Sequence, residues 1–256
     1  MATAIIKGIL GSDIASRYEI TAYDVFPEKV DELRPYGVCA ARELKDAAEK
    51  ADFLFFAVKP QNFEEVLTAV KPYFSSKTVV VSIAAGITAE YIKSFLGENC
   101  KVVLVMPNTP LLLGVGASAL ARVEPTSEDE FSDVCEIFSA SGEIAVIPVD
   151  KMKEIIAING SSPAFIYLFA KSFVSYAESV GIDSDAALKL FCQSLKGSAE
   201  MMLHSGHSID ELIAMVSSKG GTTIAGLERF AAHDLDAAVR DACEHCTKRA
   251  YELSKS

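Results

Sequence analysis

The first 149 residues alternate short apolar runs with amphipathic stretches. Six apolar runs rich in β-branched residues have the length of strands: ITAYD (20–24), FLFFAV (53–58), TVVVSIA (78–84), KVVLVM (101–106), ASALA (117–121) and EIAVIPV (143–149). Helical stretches lie between most of them: PEKVDELRPY, NFEEVLTAV, TAEYIKSFL and SEDEFSDVCEIFSA. In the last one, Ser127 and Glu130 have the spacing of a capping box. Strands that alternate with helices predict a parallel sheet covered by helices on both faces.

After about residue 150 the pattern is helical only. The predicted helices span residues 151–157, 163–180, 183–205, 208–216, 222–230 and 235–254. The chain therefore divides into an α/β domain, residues 1–149, and an all-α domain, residues 150–256. The apolar stripes of the long helices are too extensive for one small domain to cover, which predicts a dimer.

Composition narrows the classes of function. Half of the 256 residues are hydrophobic, which is enough for two modest domains with real cores. The net charge of −11 argues against a nucleic-acid-binding surface, and an anionic ligand would need local dipoles or a few basic side chains. Residues 102–121 contain no Asp, Glu, Lys or Arg. Prolines and glycines interrupt this stretch, so it does not predict a membrane helix. The N-terminal residues show no secretory pattern.

The six cysteines are scattered, which favours a reducing cytoplasm over a disulfide framework. Cys243 and Cys246 have a CxxC spacing beside His245, but the sequence offers no second pair of zinc ligands at a suitable spacing. Both cysteines lie on an apolar seam with helical periodicity. We therefore predict core packing for them and no metal site.

Three strand ends in the first domain have unusual sequences. FLFFAV continues into Lys59-Pro60-Gln61, TVVVSIA ends in Ala84 and continues into Ala85-Gly86, and KVVLVM continues into Pro107-Asn108-Thr109-Pro110. Each one alone is consistent with an ordinary turn punctuated by Pro or Gly. Because ligands of open parallel sheets bind beyond the carboxyl ends of strands, the three together predict a shared ligand crevice.

A dinucleotide-binding sheet normally begins with a strand and a Gly-rich turn that holds the pyrophosphate at a helix N-terminus. This sequence begins MATAIIKGILGSDI, which is already helical, and no G-x-G-x-x-G or G-x-G-x-x-A precedes residues 20–24. If ITAYD is the second strand, the expected first strand and phosphate loop are absent from this sequence. Three explanations stay open: a truncated sequence, a start codon placed too late, and loss of part of a cofactor site.

The stretch SSKGGTTIAGL, residues 217–227, leads paired glycines and threonines into a predicted helix. One interpretation is an anion site, in which unpaired N–H groups and the helix dipole face a carboxylate or phosphate. The other interpretation is an ordinary loop and N-cap, where Gly and Thr are common.

Several stretches in order resemble the 1-pyrroline-5-carboxylate reductase family, from Met1 to about Tyr251. They are ATAIIKGIL, YDVFPEK, FFAVKPQ, SIAAGIT, VMPNTP, INGSSPA and VSSKGGTTIAGLE. The resemblance implies a Rossmann domain followed by a helical dimerisation domain, often in a larger ring of dimers. It implies NAD(P)H-dependent reduction of 1-pyrroline-5-carboxylate to L-proline, the last step of proline biosynthesis.

The resemblance also implies residue roles. Ala57, Val58, Lys59, Pro60, Ala84 and Ala85 match loops that line the cofactor, and Asn108 matches a turn near the nicotinamide. Ser218, Gly220, Gly221, Thr222 and Thr223 match the loop that receives the substrate carboxylate, with Thr223 facing the imine nitrogen as the catalytic residue. Lys219 departs from the family's usual proline, and the family's N-terminal strand and G-A-G-N-M turn are not matched.

Three alternatives stay open from the sequence. Asp24, at the end of the strand 20–24, is predicted either to bind the ribose hydroxyls of NADH or to cap the helix that begins near Pro27, so NADPH and NADH are both candidate cofactors. The chain is either an enzyme or a degenerate paralogue that binds proline-like ligands or a partner subunit. A reductase of another imine or hydroxyacid is a further candidate, which the SSKGGTTIAGL context disfavours.

Overall fold

The computed structural model describes residues 1–254. The N-terminal part of the chain contains a mixed β-sheet. The strands are β1 (Thr21–Ala22), β2 (Cys39–Ala40), β3 (Phe53–Phe56), β4 (Val79–Ser82), β5 (Lys101–Pro107), β6 (Gly116–Val123) and β7 (Gly142–Val146). Strands β3 to β7 form one sheet in chain order, and β1 pairs with β2 in a separate two-stranded ladder. Among the described residues, no ladder joins β1 to β3. Strand β2 lies in a region where the sequence predicts no strand.

The prediction of an all-parallel sheet is wrong at β6. Strands β3, β4 and β5 are parallel, but β6 runs antiparallel to β5, with Met106 opposite Ala119. The connection contains only a 3-10 helix, Thr109–Leu113, and Gly114 in the left-handed region at φ 72°. A parallel connection needs a crossover of a dozen or more residues, and this one is too short for it. Strand β7 is parallel to β6.

Helices cover both faces of the five-stranded sheet, as predicted. They are α1 (Ala2–Leu10), α2 (Pro27–Asp31), α3 (Leu44–Ala48), α4 (Phe63–Val70), α5 (Ala89–Leu96) and α6 (Glu128–Ser139). Alternate residues of β4 and β5 point to opposite faces: Val80 and Val102 pack with α4 and α5, whereas Val81 and Val103 pack with α1 and α6. The strands are therefore apolar on both sides, which explains why they appear as unbroken apolar runs.

The second part is all-helical, as predicted. It contains α7 (Ser162–Ser179), α8 (Ser184–His204), α9 (Ile209–Met215), α10 (Thr222–Ala232) and α11 (Leu235–Leu253). The predicted helix at 151–157 is wrong. A 3-10 helix, Val149–Lys151, and a π-helix, Ile156–Gly160, occupy this region, and Ser161 N donates to Ile156 O at 2.7 Å.

The chain forms two compact units. The first contains Met1–Pro163 and the chain from His245 onward, and the second contains Ala164–Glu244. The domain boundary between 149 and 150 stays a prediction. In the second unit many large apolar side chains of α7 and α8 are exposed, among them Tyr167, Leu190 and Leu203. Within the described chain, every helix is too short or too polar to cross a bilayer.

Candidate functional site

The parallel order of β3, β4 and β5 brings three predicted segments to one edge of the sheet. Ala57-Val58-Lys59-Pro60 follows β3, Ala84-Ala85 follows β4, and Asn108 follows β5. Lys59 precedes a 3-10 helix, Pro60–Asn62, and its side chain is exposed. These segments therefore lie where ligands of open α/β sheets bind.

A cleft of about 510 Å³ opens beyond the ends of β4 and β5. Its lining is largely apolar, and it contains Ala84 together with Ser82, Gly86, Ile87, Thr88, Ala89, Glu90, Leu104, Val105, Met106, Val149, Asp150, Met152, Lys153 and Tyr251. The Ser82 hydroxyl is buried and has no hydrogen-bond partner among the described residues. A cleft whose apolar wall also carries polar groups such as Ser82 and Thr88 suits a flat heterocycle with a hydrogen-bonding substituent, as nicotinamide is.

Asn108 is buried beside this edge, where it organises the turn after β5. Its Oδ1 accepts a hydrogen bond from Ala117 N at 2.9 Å. The Asn159 Nδ2 donates to Met106 O at 2.7 Å and to Ala117 O at 3.2 Å. Asn159 belongs to the INGSSPA stretch, and this bridging role needs the antiparallel pairing of β5 with β6, which the sequence did not predict.

Asp24 lies two residues after β1 and is half-buried. Its Oδ1 accepts a hydrogen bond from Phe26 N at 3.0 Å and lies 3.6 Å from Lys29 Nζ. The N-cap of α2 is Phe26, so Asp24 closes the turn before α2 and is not its capping residue. The carboxylate is held in one orientation at the carboxyl end of a strand, where a ribose-binding acid lies in dinucleotide-binding folds.

The predicted substrate loop, Ser218 to Thr223, lies in the second unit at the entrance of α10. Gly220 has φ 72°, and Gly221 is the N-cap of α10, for which no side chain supplies a capping hydrogen bond. A Cβ at Gly221 would lie 2.7 Å from Ser218 Oγ and 3.0 Å from Ser218 O, so a larger residue at this position would require Ser218 to shift. Thr222 and Thr223 are exposed in the first turn. Uncapped first-turn amides and two exposed hydroxyls can together hold a carboxylate.

The C-terminal end of α11 lies at the cleft, which the sequence did not predict. The Tyr251 hydroxyl donates to Glu154 Oε1 at 2.9 Å, and Lys153 Nζ lies 4.5 Å from the centroid of the Tyr251 ring. The hydrogen bond to Glu154 raises the pKa of Tyr251. These residues are far apart in sequence from β4, and no motif in the chain marks them.

For Cys243 and Cys246 the sequence predicts core packing and no metal site. Both cysteines are half-buried. Cys246 Sγ donates to Ser161 Oγ at 3.0 Å. Among the described residues, no three His, Cys, Asp or Glu side chains are grouped to hold a metal ion.

Comparisons with known proteins identify two family models that match the chain. Residues 150–253 match the family model "Pyrroline-5-carboxylate reductase dimerisation", and residues 1–86 match "NADP oxidoreductase coenzyme F420-dependent". The first match begins at the predicted start of the helical domain.

The similarity to individual known proteins extends over the whole chain. The pyrroline-5-carboxylate reductase of Escherichia coli is 33% identical over 100% of this chain and 96% of its own length, and that of Methanosarcina acetivorans is 32% identical over 100% and 95%. Among solved structures, the reductase of Coxiella burnetii superposes with a TM-score of 0.93 at 29% identity, covering 100% of this chain and 95% of that one. The Plasmodium falciparum enzyme, solved with NADP bound, has a TM-score of 0.89 at 26% identity, covering 99% and 94%.

Sequence similarity along the full chain, the Rossmann-like sheet and the helical second part therefore establish that this chain belongs to the pyrroline-5-carboxylate reductase family of oxidoreductases.

Proposed function

We propose that the protein reduces 1-pyrroline-5-carboxylate to L-proline with NADPH or NADH as the hydride donor. The observation that carries the proposal is the entrance of α10, where Gly221 is the N-cap and, among the described residues, no side chain caps the first-turn amides. An anionic ligand suits such amides, and a substrate with a ring carboxylate supplies that anion. Family membership along the whole chain favours this activity over a non-catalytic binding protein.

We assign the substrate carboxylate to Ser218, Gly220, Gly221, Thr222 and Thr223. The N–H groups at the start of α10 would fix the carboxylate, and this contact orients the ring. Lys219 is exposed in the same loop and adds a positive charge to a chain whose net charge is −11. That local charge opposes the repulsion of an anion by the rest of the protein.

Thr223 is assigned to the imine nitrogen. A nicotinamide cofactor, when bound, would supply the hydride for the imine carbon; the π electrons of the C=N bond would then pass to the protonated nitrogen and give a neutral amine. A threonine hydroxyl can accept a hydrogen bond from the N–H of the protonated imine, and it can accept from or donate to the neutral amine. Because a threonine hydroxyl is a poor general acid and the imine already carries its proton, Thr223 is assigned the role of orienting the nitrogen.

For the cofactor we assign Asp24, Ala57, Val58, Lys59, Pro60, Ala84, Ala85 and Asn108. The support is their position at the carboxyl ends of β1, β3, β4 and β5 and the unpartnered Ser82 hydroxyl in the adjacent cleft. Alignment of nicotinamide and imine carbon supplies several kcal/mol through proximity, so the rigidity of these strand ends matters for the rate.

The assembly and its compartment are part of the same proposal. The exposed apolar side chains of α7 and α8 support a homodimer or a ring of dimers. The six free cysteines support a reducing cytoplasm.

The test is consumption of NADH or NADPH that depends on 1-pyrroline-5-carboxylate, with L-proline identified as the product. A matched assay with an open-chain ketoacid is the control, and we expect no turnover there. Binding of proline without any turnover of the imine would instead support the non-catalytic paralogue.

A further inference from the structure

The loop that leaves β4, residues 84–86, is held weakly by its own hydrogen bonds. Ile83 N donates to Phe56 O at 3.4 Å, and Ile87 N donates to Ala84 O at 3.4 Å. Both distances are at the long end of the range for N–H···O bonds. Gly86 has φ 79°, a conformation that other residues rarely adopt. This loop therefore depends on its neighbours for a fixed position.

One such neighbour is the last turn of α11 with the residue after it, residues 250–254, which we call the C-terminal turn. A methyl group at Gly86 would lie 3.5 Å from the carbonyl carbon and oxygen of Leu253 and 3.6 Å from Cα of Ser254. These are van der Waals distances for the added methyl group, so the backbone of the C-terminal turn lies next to the loop with room for about one methyl group between them.

Tyr251 secures the C-terminal turn at this place. Its hydroxyl donates to Glu154 Oε1, its ring lies under the ammonium group of Lys153, and the same ring lines the cleft. The second oxygen of Glu154 is buried without a partner among the described residues, so loss of the tyrosine hydroxyl would leave this carboxylate still less satisfied. Ala250, which precedes Tyr251 in the chain, is buried.

We propose that the C-terminal turn positions the loop at residues 84–86 for the cofactor and that Tyr251 is a positioning residue for nicotinamide binding. The inference rests on the proposed function, because it takes the cleft as the place of the nicotinamide. A displaced C-terminal turn would release the loop and widen the cleft, which lowers cofactor affinity through lost preorganisation. It leaves the substrate loop in the second unit unchanged.

The test compares Tyr251→Phe and Tyr251→Ala with the wild-type protein in fluorescence titrations with NADH and NADPH, without substrate. We expect the dissociation constant to rise about threefold to tenfold in Tyr251→Phe, the effect of one net hydrogen bond, and further in Tyr251→Ala. In steady state, KM for the cofactor rises, whereas KM for 1-pyrroline-5-carboxylate stays near the wild-type value.

The matched control is Tyr73→Phe. Tyr73 ends the 3-10 helix Lys71–Tyr73, its ring lies 5.8 Å from Lys45 Nζ, and it is 37% exposed against 49% for Tyr251. It precedes β4 at the opposite edge of the sheet, so we expect an unchanged dissociation constant.

Equal affinities in wild-type protein and both Tyr251 variants would overturn the inference while the proposed function stands. The same applies if Tyr73→Phe weakens cofactor binding as much as Tyr251→Phe does. A wild-type protein that binds neither NADH nor NADPH would overturn the proposed function and the inference together. If Tyr251→Ala fails to fold, the Phe variant alone decides the question, because it keeps the ring.

Discussion

The chemistry proposed here depends on single side chains whose surroundings are defined. Ser82 and Asn108 are both buried polar residues at the same edge of the sheet, but they differ in their hydrogen bonding. The Asn108 Oδ1 accepts a hydrogen bond from Ala117 N, whereas the Ser82 hydroxyl has no partner among the described residues. A buried hydroxyl without a partner costs about 1–3 kcal/mol, so a ligand that bonds to it gains that amount in affinity. Because the Ser82 hydroxyl is buried, a cofactor could bond to it only after a small local shift at the end of β4.

We expect Thr223→Ala to lower kcat/KM for 1-pyrroline-5-carboxylate by about tenfold or more, which corresponds to about 1.4 kcal/mol of transition-state stabilisation. The reason is loss of the hydroxyl that orients the imine nitrogen. Thr223→Ser keeps the hydroxyl and should retain most of the activity. Steady-state kinetics of the three proteins measure the effect, and an unaltered kcat/KM in Thr223→Ala would remove this residue from the mechanism.

Asp24→Ser should move cofactor preference toward NADPH. The carboxylate can accept hydrogen bonds from ribose hydroxyls and repels a 2′-phosphate, so its removal changes the ratio of the two dissociation constants by about tenfold. Glu28→Gln is the control, because Glu28 is an exposed acid in the first turn of α2. Titration with both cofactors measures the ratio. If the ratio of the dissociation constants for NADH and NADPH shifts equally in Asp24→Ser and Glu28→Gln, the effect comes from the net charge of the region and not from contact of Asp24 with the ribose.

Among the secondary-structure elements, α6 is the one whose start is most clearly encoded. Ser127 N donates to Glu130 Oε2 at 2.9 Å, and Glu130 N donates to Ser127 Oγ at 3.3 Å, so the predicted capping box is confirmed. Lys101 of β5 also bonds to Glu130. Burial alone would raise the pKa of Glu130, but the hydrogen bonds from Lys101 and Ser127 outweigh it and lower the pKa.

Ser127→Ala should reduce the free energy of unfolding by about 1 kcal/mol, the usual cost of a lost N-cap. Because the folded pKa of Glu130 is lowered, its contribution is complete above the unfolded value of about 4.3 and is lost as the pH falls through the folded pKa. Urea unfolding between neutral and acidic pH measures both effects. Ser139→Ala, at the other end of α6, should change stability little, and Glu130→Gln should remove part of the acid sensitivity.

At the scale of the whole molecule, the second unit leaves much apolar surface uncovered. Leu190 on α8 is 69% exposed, and neighbouring aromatic side chains of α7 and α8, Phe173 and Phe191, stack at 4.3 Å. An exposed apolar surface of this kind marks an interface, in agreement with the dimerisation model that matches residues 150–253.

Leu190→Asp should weaken the dimer. Burial of one leucine stabilises by about 1.5–3 kcal/mol, and two-fold symmetry doubles the effect, so the dissociation constant should rise at least about a hundredfold. Light scattering across a dilution series gives the oligomeric state. Lys189→Asp changes an adjacent charge without removing apolar surface and should leave the assembly intact. A Leu190→Asp protein that stays fully dimeric at high dilution would place the interface elsewhere.

Patterns that depend on neighbours in the chain were sufficient to predict much of this protein. Strand and helix periodicity, the capping box at Ser127 and the start of α10 after paired glycines all arise from contacts within a few residues. The common edge for the loops after β3, β4 and β5 followed from the handedness and parallel order of such sheets.

Contacts between distant segments decided the rest. Three of these contacts join residues that are far apart in the sequence or depend on such residues. They are the antiparallel pairing of β6 with β5, the hydrogen bonds from Asn159 to β5 and β6, and the proximity of the C-terminal turn to Gly86. Only chain packing determines which of many possible long-range pairs forms, because each pair is specified by volume and geometry in three dimensions and leaves no periodic trace along the chain. The wall that Tyr251 gives to the cleft could therefore be found only in the folded molecule.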